Sequence, residues 1–171
     1  MIEVEIKGLD EMIRKSAALP EALGRELRTF FDKSAFKVLE KAQRRFVQKG
    51  EAWGGNRPHV RTNRLRSSLT KGGLENIYEV DKASLPLWAK VGTNVNYALA
   101  VEMGARPHEI KPVQKKALHF FIGAREIFAK LVHHPGSPPH PYLSTGLEES
   151  LGDIDRYLAQ AGENVRREWE K

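Results

Sequence analysis

Two long amphipathic segments constrain the fold of this chain more than any other feature. Around residues 20–49 and 142–170, apolar residues recur at intervals of three and four, the spacing that places them on one face of an α-helix. The first stripe contains Leu23, Leu27, Phe30, Phe31, Ala35, Val38, Leu39, Ala42 and Phe46, and the second Leu143, Leu147, Leu151, Ile154, Leu158, Ala161, Val165 and Trp169. Each helix must bury its stripe, so the rest of the chain has to supply a covering layer.

Short β-strands are predicted to supply that layer. The opening residues alternate apolar and charged side chains, and two later apolar runs flank a turn at 123–125 like a hairpin. Strands are predicted at 2–7, 77–80, 88–92, 117–122 and 126–132. Short helices are predicted at 11–18, after an N-cap at Thr62, and at 97–103. We therefore predict one α+β domain over residues 1–171: a mainly antiparallel sheet packed with the two long helices. Flexible loops are expected near 50–61, 105–115 and 133–141, the first poorly ordered in the isolated protein.

Positive charge is concentrated in the first third of the chain. Overall, 28 Lys and Arg stand against 22 Asp and Glu, a formal net charge of +6. The span from Arg14 to Arg66 has 14 basic and 5 acidic residues, or +9, which leaves −3 for the remainder, where Glu148, Glu149, Asp153 and Asp155 cluster. This asymmetry suits either a polyanion site or head-to-tail contact between copies of the chain.

Enzymatic and metal-dependent functions find little support. The chain has no cysteine, which excludes thiol nucleophiles and cysteine-ligated metals. Three histidines, His133, His134 and His140, raise the alternative of a metal-dependent hydrolase, but their spacing fits no ligand motif. Ser137 beside His140 lacks the third member of a catalytic triad. We predict no enzyme, no cofactor and no resident metal.

Nucleic-acid binding is the second alternative. Several cations and one indole lie close together in the sequence, at Trp53, Arg57, His59, Arg61, Arg64 and Arg66. They could grip phosphates and stack a base, although no known nucleic-acid-binding motif is present. A basic nucleic-acid-binding accessory protein is therefore the alternative to a protein whose basic segment contacts neighbouring subunits.

Four segments carry short patterns that occur together in one known family. Ile2–Asp10 reads I-E-V-E-I-K-G-L-D, and Arg61–Ser68 reads R-T-N-R-L-R-S-S. Val91–Ala98 reads V-G-T-N-V-N-Y-A and is followed by V-E-M-G at Val101–Gly104, while His134–Glu148 contains H-P-G, P-Y-L and L-E. In this order they resemble the tail-completion, or head–tail joining, virion morphogenesis proteins of tailed bacteriophages and prophages. The departures are Asn63 in place of the usual Gly, Tyr142 in place of Phe, and a longer loop at 50–61.

The resemblance implies a non-enzymatic minor tail component. Such proteins form a ring, typically of six, at the head-proximal end of the tail tube, and DNA passes through it. The implied partners are other copies, the tail tube and the head connector, with DNA contact only transient and no membrane. From the matched motifs and the exposed basic set, the expected interface residues are Arg57, Arg61, Arg64, Arg66, Asn94, Asn96, Tyr97, Glu102, Pro141 and Tyr142. With no export signal or membrane span in the sequence, the expected location is the bacterial host cytoplasm during assembly and then the virion tail.

Overall fold

A computed structural model describes residues 2–6, 21–48, 55–81 and 87–169, of which residues 2–6 and 169 are described by their backbone alone. The predicted helix at 11–18 and Trp53 lie outside these residues. The described elements pack as helices against antiparallel strands, which confirms the α+β prediction.

Helix α1, Glu21–Arg44, is the centre of the core. It packs against both C-terminal helices and against the central sheet. Its buried face matches the predicted stripe, since Phe31, Ala35 and Val38 are at most 2% exposed. The helix ends at Arg44 rather than near 49 because the chain turns inward there. The Val47 N–H donates to the Pro58 carbonyl at 2.9 Å, and the Val60 N–H donates back to the Val47 carbonyl at 3.1 Å.

Part of the predicted loop at 50–61 is therefore held in place. Pro58 is buried beside Val47, and His59 forms a parallel bridge with Val47. Two consecutive backbone hydrogen bonds fix residues 58–60 to the end of the α1 segment. The expectation of poor order fails for this described part, whereas residues 50–54 lie outside the described ranges.

A three-stranded antiparallel sheet lies against α1. Strand β3, Ala89–Thr93, is central and pairs with β1, Ile2–Ile6, on one side and β2, Asn76–Val80, on the other. Four of its five residues are buried, as expected for a strand covered by a helix and paired on both edges.

The predicted helix at 142–170 is two helices. Helix α4 spans Leu143–Glu148 and α5 spans Leu151–Trp169. Between them Ser150 is fully buried, and its hydroxyl donates to the Gly146 carbonyl at 2.6 Å. A side-chain bond to the backbone competes with the regular helical pattern, which accounts for the break. Leu151, predicted in the stripe, is 53% exposed.

The remaining elements divide into small units rather than extending one sheet. The short helices are α2, Arg64–Ser67, and α3, Ala98–Met103, and the strands are β4, His108–Ile110; β5, Leu118–Ile122; β6, Arg125–Ala129; and β7, Val132–His134. Strand β4 pairs with β7, and β5 pairs with β6 as the predicted hairpin. Two predicted loops, 105–115 and 133–141, thus contain the paired strands β4 and β7. Within the described ranges, no helix is long and apolar enough to cross a bilayer.

Candidate contact surface

Glu102 of α3 forms the start of α4. Glu102 is 8% exposed, and its carboxylate accepts the backbone N–H groups of Tyr142 at 2.8 Å, Leu143 at 3.0 Å and Ser144 at 2.9 Å. The Ser144 hydroxyl adds a fourth hydrogen bond at 2.6 Å. The first N–H groups of a helix have no partner within the helix, and the helix dipole favours an anion there. A residue 40 positions away therefore supplies the N-terminal cap of α4.

Tyr142 is also part of the fold. It is 0% exposed and its ring lies 5.1 Å from that of Phe46. Burial raises the pKa of its phenol above the ordinary value. Glu102 and Tyr142, both expected at an interface, are thus inaccessible to a partner, and Pro141 is a half-buried residue beside them.

The loops flanking β4 and β7 are joined through two glycines. Ala105 and Ser137 exchange backbone hydrogen bonds of 3.0 and 2.9 Å. Gly104 has φ 76° and Gly136 has φ 88°, and a Cβ at either position would lie within 2.6 Å of the opposite backbone. Only glycine combines this conformation with so close an approach. The glycines of V-E-M-G and H-P-G therefore have one structural explanation.

Ser68, which follows α2, and Thr93, at the end of β3, join these two segments. The sequence did not predict that the two residues are in contact. Their hydroxyl oxygens lie 2.7 Å apart and are buried. Because the Ser68 hydroxyl also lies 2.7 Å from the Leu65 carbonyl and donates to it, the Thr93 hydroxyl is the donor between them. Thr93 in turn accepts the Val95 N–H at 3.1 Å. The only sequence signal was a small hydroxyl residue within each motif.

The accessible motif residues form one surface, which we call the motif patch: Arg61, Arg64, Arg66, Asn94, Asn96 and Tyr97. The three arginines and Tyr97 line a cavity of about 530 Å³ bounded by residues 58–66, α3 and residues 137–140. Arg64 places its guanidinium 5.9 Å from the Tyr97 ring centre. The Asn94 N–H bonds to the Glu75 carbonyl at 2.8 Å, which connects the asparagine turn to the same surface.

The arginines of the patch differ in how strongly they are held. Arg64 makes a bidentate pair with Glu75, at 2.8 and 2.6 Å, and this lowers the pKa of the Glu75 carboxyl. Arg61 and Arg66 have no carboxylate partner in the described part of the chain, and the buried Arg66 Nε has no hydrogen-bond acceptor. His140 Nδ1, on the same cavity, is also buried, and no described residue forms a hydrogen bond with it. The exposed Arg61 guanidinium therefore remains available to an anionic or polar partner.

Arg57 has a local role instead. Its guanidinium donates to the carbonyls of Arg45 at 3.0 Å and Arg44 at 3.2 Å. These carbonyls end α1, where a cation complements the helix dipole. Arg57 is thus a C-terminal cap, although it was expected at an interface.

Asn63 precedes α2 with φ 63°, in the left-handed region. Glycine enters this region freely and asparagine more readily than other residues, so Asn63 satisfies the position where Gly is usual in the resembled family. The N-cap was expected one residue earlier, at Thr62.

Part of the basic surplus is paired within the chain. Arg25 contacts Glu168 at 2.5 Å and Arg45 contacts Glu149 at 3.4 Å, so α1 is linked to the acidic C-terminal segment. These groups are exposed or half-exposed, and each pair contributes little to stability. The pairs nevertheless reduce the charge contrast that the sequence suggested.

The three histidines do not converge. His133 faces Glu109 at 3.6 Å, His134 stacks on His108 with ring centres 5.0 Å apart, and His140 borders the cavity. Within the described ranges, no three His, Asp or Glu side chains are arranged to hold a metal ion.

Comparisons with protein-family models, curated proteins and solved structures gave no match to this chain.

Proposed function

We propose that this chain is a structural assembly protein of a phage or prophage tail, a ring-forming tail-completion or head–tail joining component through which DNA passes. One observation carries the proposal: motif segments far apart in sequence are bonded together in space. Glu102 caps the helix that begins at the Leu of P-Y-L, and Thr93 bonds to Ser68. The segments Arg61–Ser68, Val91–Gly104 and His134–Glu148 all contribute to the surroundings of one cavity. The packing of these motifs against each other in one folded unit gives a physical reason for their joint occurrence in one sequence.

The motif patch is the surface that such a protein offers to a neighbour. Its side chains are arginines, amides and one phenol, which suit polar contacts at a protein interface rather than catalysis. A ring also requires heterologous contacts, in which two different surfaces of each copy meet. The proposed partners are further copies in a ring of six, the tail tube and the head connector, with assembly in the bacterial cytoplasm and residence in the virion tail.

The test combines electron microscopy of the purified chain with capture of tail-tube and connector proteins from the same phage genome. We expect closed rings of one stoichiometry that bind at least one of these proteins. The variant Arg61→Glu/Arg66→Glu should lose ring formation or capture. A matched control, Arg28→Glu/Lys33→Glu, changes the charge equally on the exposed face of α1 and should lose neither. Absence of both rings and capture for the unmodified chain would refute the proposal.

A basic nucleic-acid-binding accessory protein is the second candidate, favoured by Arg61 and Arg66 at the cavity, which have no carboxylate partner among the described residues. It predicts tight binding of duplex DNA by a monomer, with affinity that falls steeply as salt rises. The tail-component proposal predicts weak DNA binding and ring formation. Fluorescence anisotropy with labelled DNA at several salt concentrations separates the two.

A further inference from the structure

The hairpin 118–129, formed by β5 and β6, is incompletely packed. Its strands contact each other, and neither makes more than marginal contact with another described element. An isolated two-stranded hairpin is at best marginally stable in water, because it has little apolar surface to bury. This hairpin therefore needs a surface that covers it.

One face of the hairpin is aromatic. The His119 ring stacks on Phe128 with centres 4.7 Å apart and meets the edge of Phe121 at 5.3 Å. Phe121 is 63% exposed and Phe128 is 67% exposed. His119 Nε2 also lies 2.8 Å from the Glu126 carboxylate. The carboxylate disfavours a polyanion on this face, which argues for protein rather than nucleic acid as the occupant.

The other face is mostly aliphatic. It consists of Leu118, Phe120, Ile122, Ile127 and Ala129, with the side chain of Arg125 at the turn. Ile122 is 62% exposed, and the face offers no hydrogen-bonding group except Arg125. Because Leu118, Phe120, Ile127 and Ala129 are half-buried, the apolar groups open to a partner are Ile122 and the two phenylalanines of the aromatic face.

The rim of the hairpin is basic. Lys115, Lys116 and Lys130 lie at its base and Arg125 at its turn, and all four are exposed without a carboxylate partner in the described residues. An apolar centre with a charged rim is the usual anatomy of a protein interface. Its partner should therefore be an acidic surface with exposed apolar groups.

The chain itself carries such a surface at the junction of α4 and α5. Glu148 and Asp155 are exposed and form no ion pair with a described residue, and Leu151 between them is 53% exposed. Leu151 and Asp155 are four positions apart, so they share a face of α5. We call Glu148, Leu151 and Asp155 the acidic seat.

We propose that the hairpin 118–129 of one copy docks on the acidic seat of a second copy. Charge complementarity indicates that the basic hairpin binds an acidic surface. The choice of a second copy of the chain as the carrier of that surface rests on the proposed ring. Because hairpin and seat are different surfaces, the contact is heterologous and repeats from copy to copy.

Two variants test the contact by native mass spectrometry and sedimentation. Phe121→Ser/Phe128→Ser removes the exposed aromatic side chains of the hairpin, and Glu148→Lys/Asp155→Lys reverses the charge of the acidic seat. Each should weaken self-association at least about tenfold. An equimolar mixture should give a heterodimer, since it retains one intact hairpin and one intact seat. Phe36→Ser removes an aromatic that is 50% exposed elsewhere and should leave association unchanged.

The outcomes separate this contact from the proposed function. Rings from the hairpin variant would overturn the docking but leave the tail-component proposal standing. Undiminished self-association of the seat variant, or a mixture without heterodimer, would likewise overturn it. A chain that stays monomeric up to its solubility limit refutes self-docking. If hairpin-dependent binding to duplex DNA or anionic vesicles then appears, one of these is the occupant. Binding of tail proteins by that monomer would still support the proposed function.

Discussion

The carboxylate of Glu102 accepts two hydrogen bonds from Ser144, from its backbone N–H at 2.9 Å and from its hydroxyl at 2.6 Å. The two residues lie on helices α3 and α4, so their contact closes a loop of about 40 residues that contains the hairpin. One buried anion thereby fixes the start of α4, whose other side packs on α1. The fold around the motif patch depends on this contact.

Replacing Glu102 with Gln should destabilise the protein by about 2 kcal/mol. The amide removes the negative charge and turns an NH₂ group toward N–H donors that need an acceptor. Urea unfolding followed by circular dichroism measures the loss. Glu109→Gln, which removes an exposed pair with Lys111, should change stability by no more than about 0.5 kcal/mol. Equal effects of the two substitutions would show that Glu102 is not a cap.

Replacing Tyr142 with Phe should leave stability unchanged or raise it by about 1 kcal/mol. The Tyr142 hydroxyl is buried and has no hydrogen-bond partner among the described residues. Its removal therefore avoids the cost of taking a polar group out of water without a compensating hydrogen bond. The matched control is Tyr78→Phe. Tyr78 Oη lies 2.8 Å from the Asp32 carbonyl and 2.9 Å from its carboxylate, and this substitution should cost about 1 kcal/mol. Thermal unfolding of both variants checks the opposite signs, and a loss at Tyr142 as large as at Tyr78 would contradict the prediction.

Local periodicity predicted the fold class and most of the helices and strands, because these depend on spacing within a few residues. It missed strands β4 and β7 and the end of α1, which depend on pairing with distant residues, and it missed the break between α4 and α5 at Ser150. Val47 leaves the helix to pair with Pro58 and Val60, and Ser150 is buried between packed elements. The same limit applies to the candidate site. Arg61, Arg64 and Tyr97 do line one cavity, as expected for a common site. The motif residue Glu102 is instead buried, and the spacing of residues along α3 does not predict this.

Replacing Gly146 with Ala should destabilise the protein by about 2 kcal/mol, although alanine is the better helix former. A Cβ at this position would lie 2.7 Å from the Ala42 nitrogen and 2.9 Å from its Cα, so α4 and α1 would have to separate. Gly162 in α5 is the matched control, since a Cβ there would have no atom of a described residue within 4 Å. Gly162→Ala should stabilise by about 0.5–1 kcal/mol. Chemical denaturation gives the free energy of unfolding of both variants and so separates the effect of helix packing from that of helix propensity. A gain in stability at both sites would show that a Cβ at position 146 does not clash with α1.

Glu163 should give the stability of the protein a measurable dependence on acid pH. Hydrogen bonds from Arg166 and Arg167 lower the pKa of its carboxyl from 4.5 to about 2. A carboxyl whose pKa is lower in the folded state stabilises that state above its unfolded value, and this contribution disappears as pH falls through the folded value. Glu163→Gln should therefore lower the melting temperature slightly above pH 4.5, and the difference from the parent chain should shrink toward zero as pH approaches 2. High salt should reduce the effect, because the groups are exposed and screened. A difference that stays constant across this pH range would show that the arginine pairs do not form in solution.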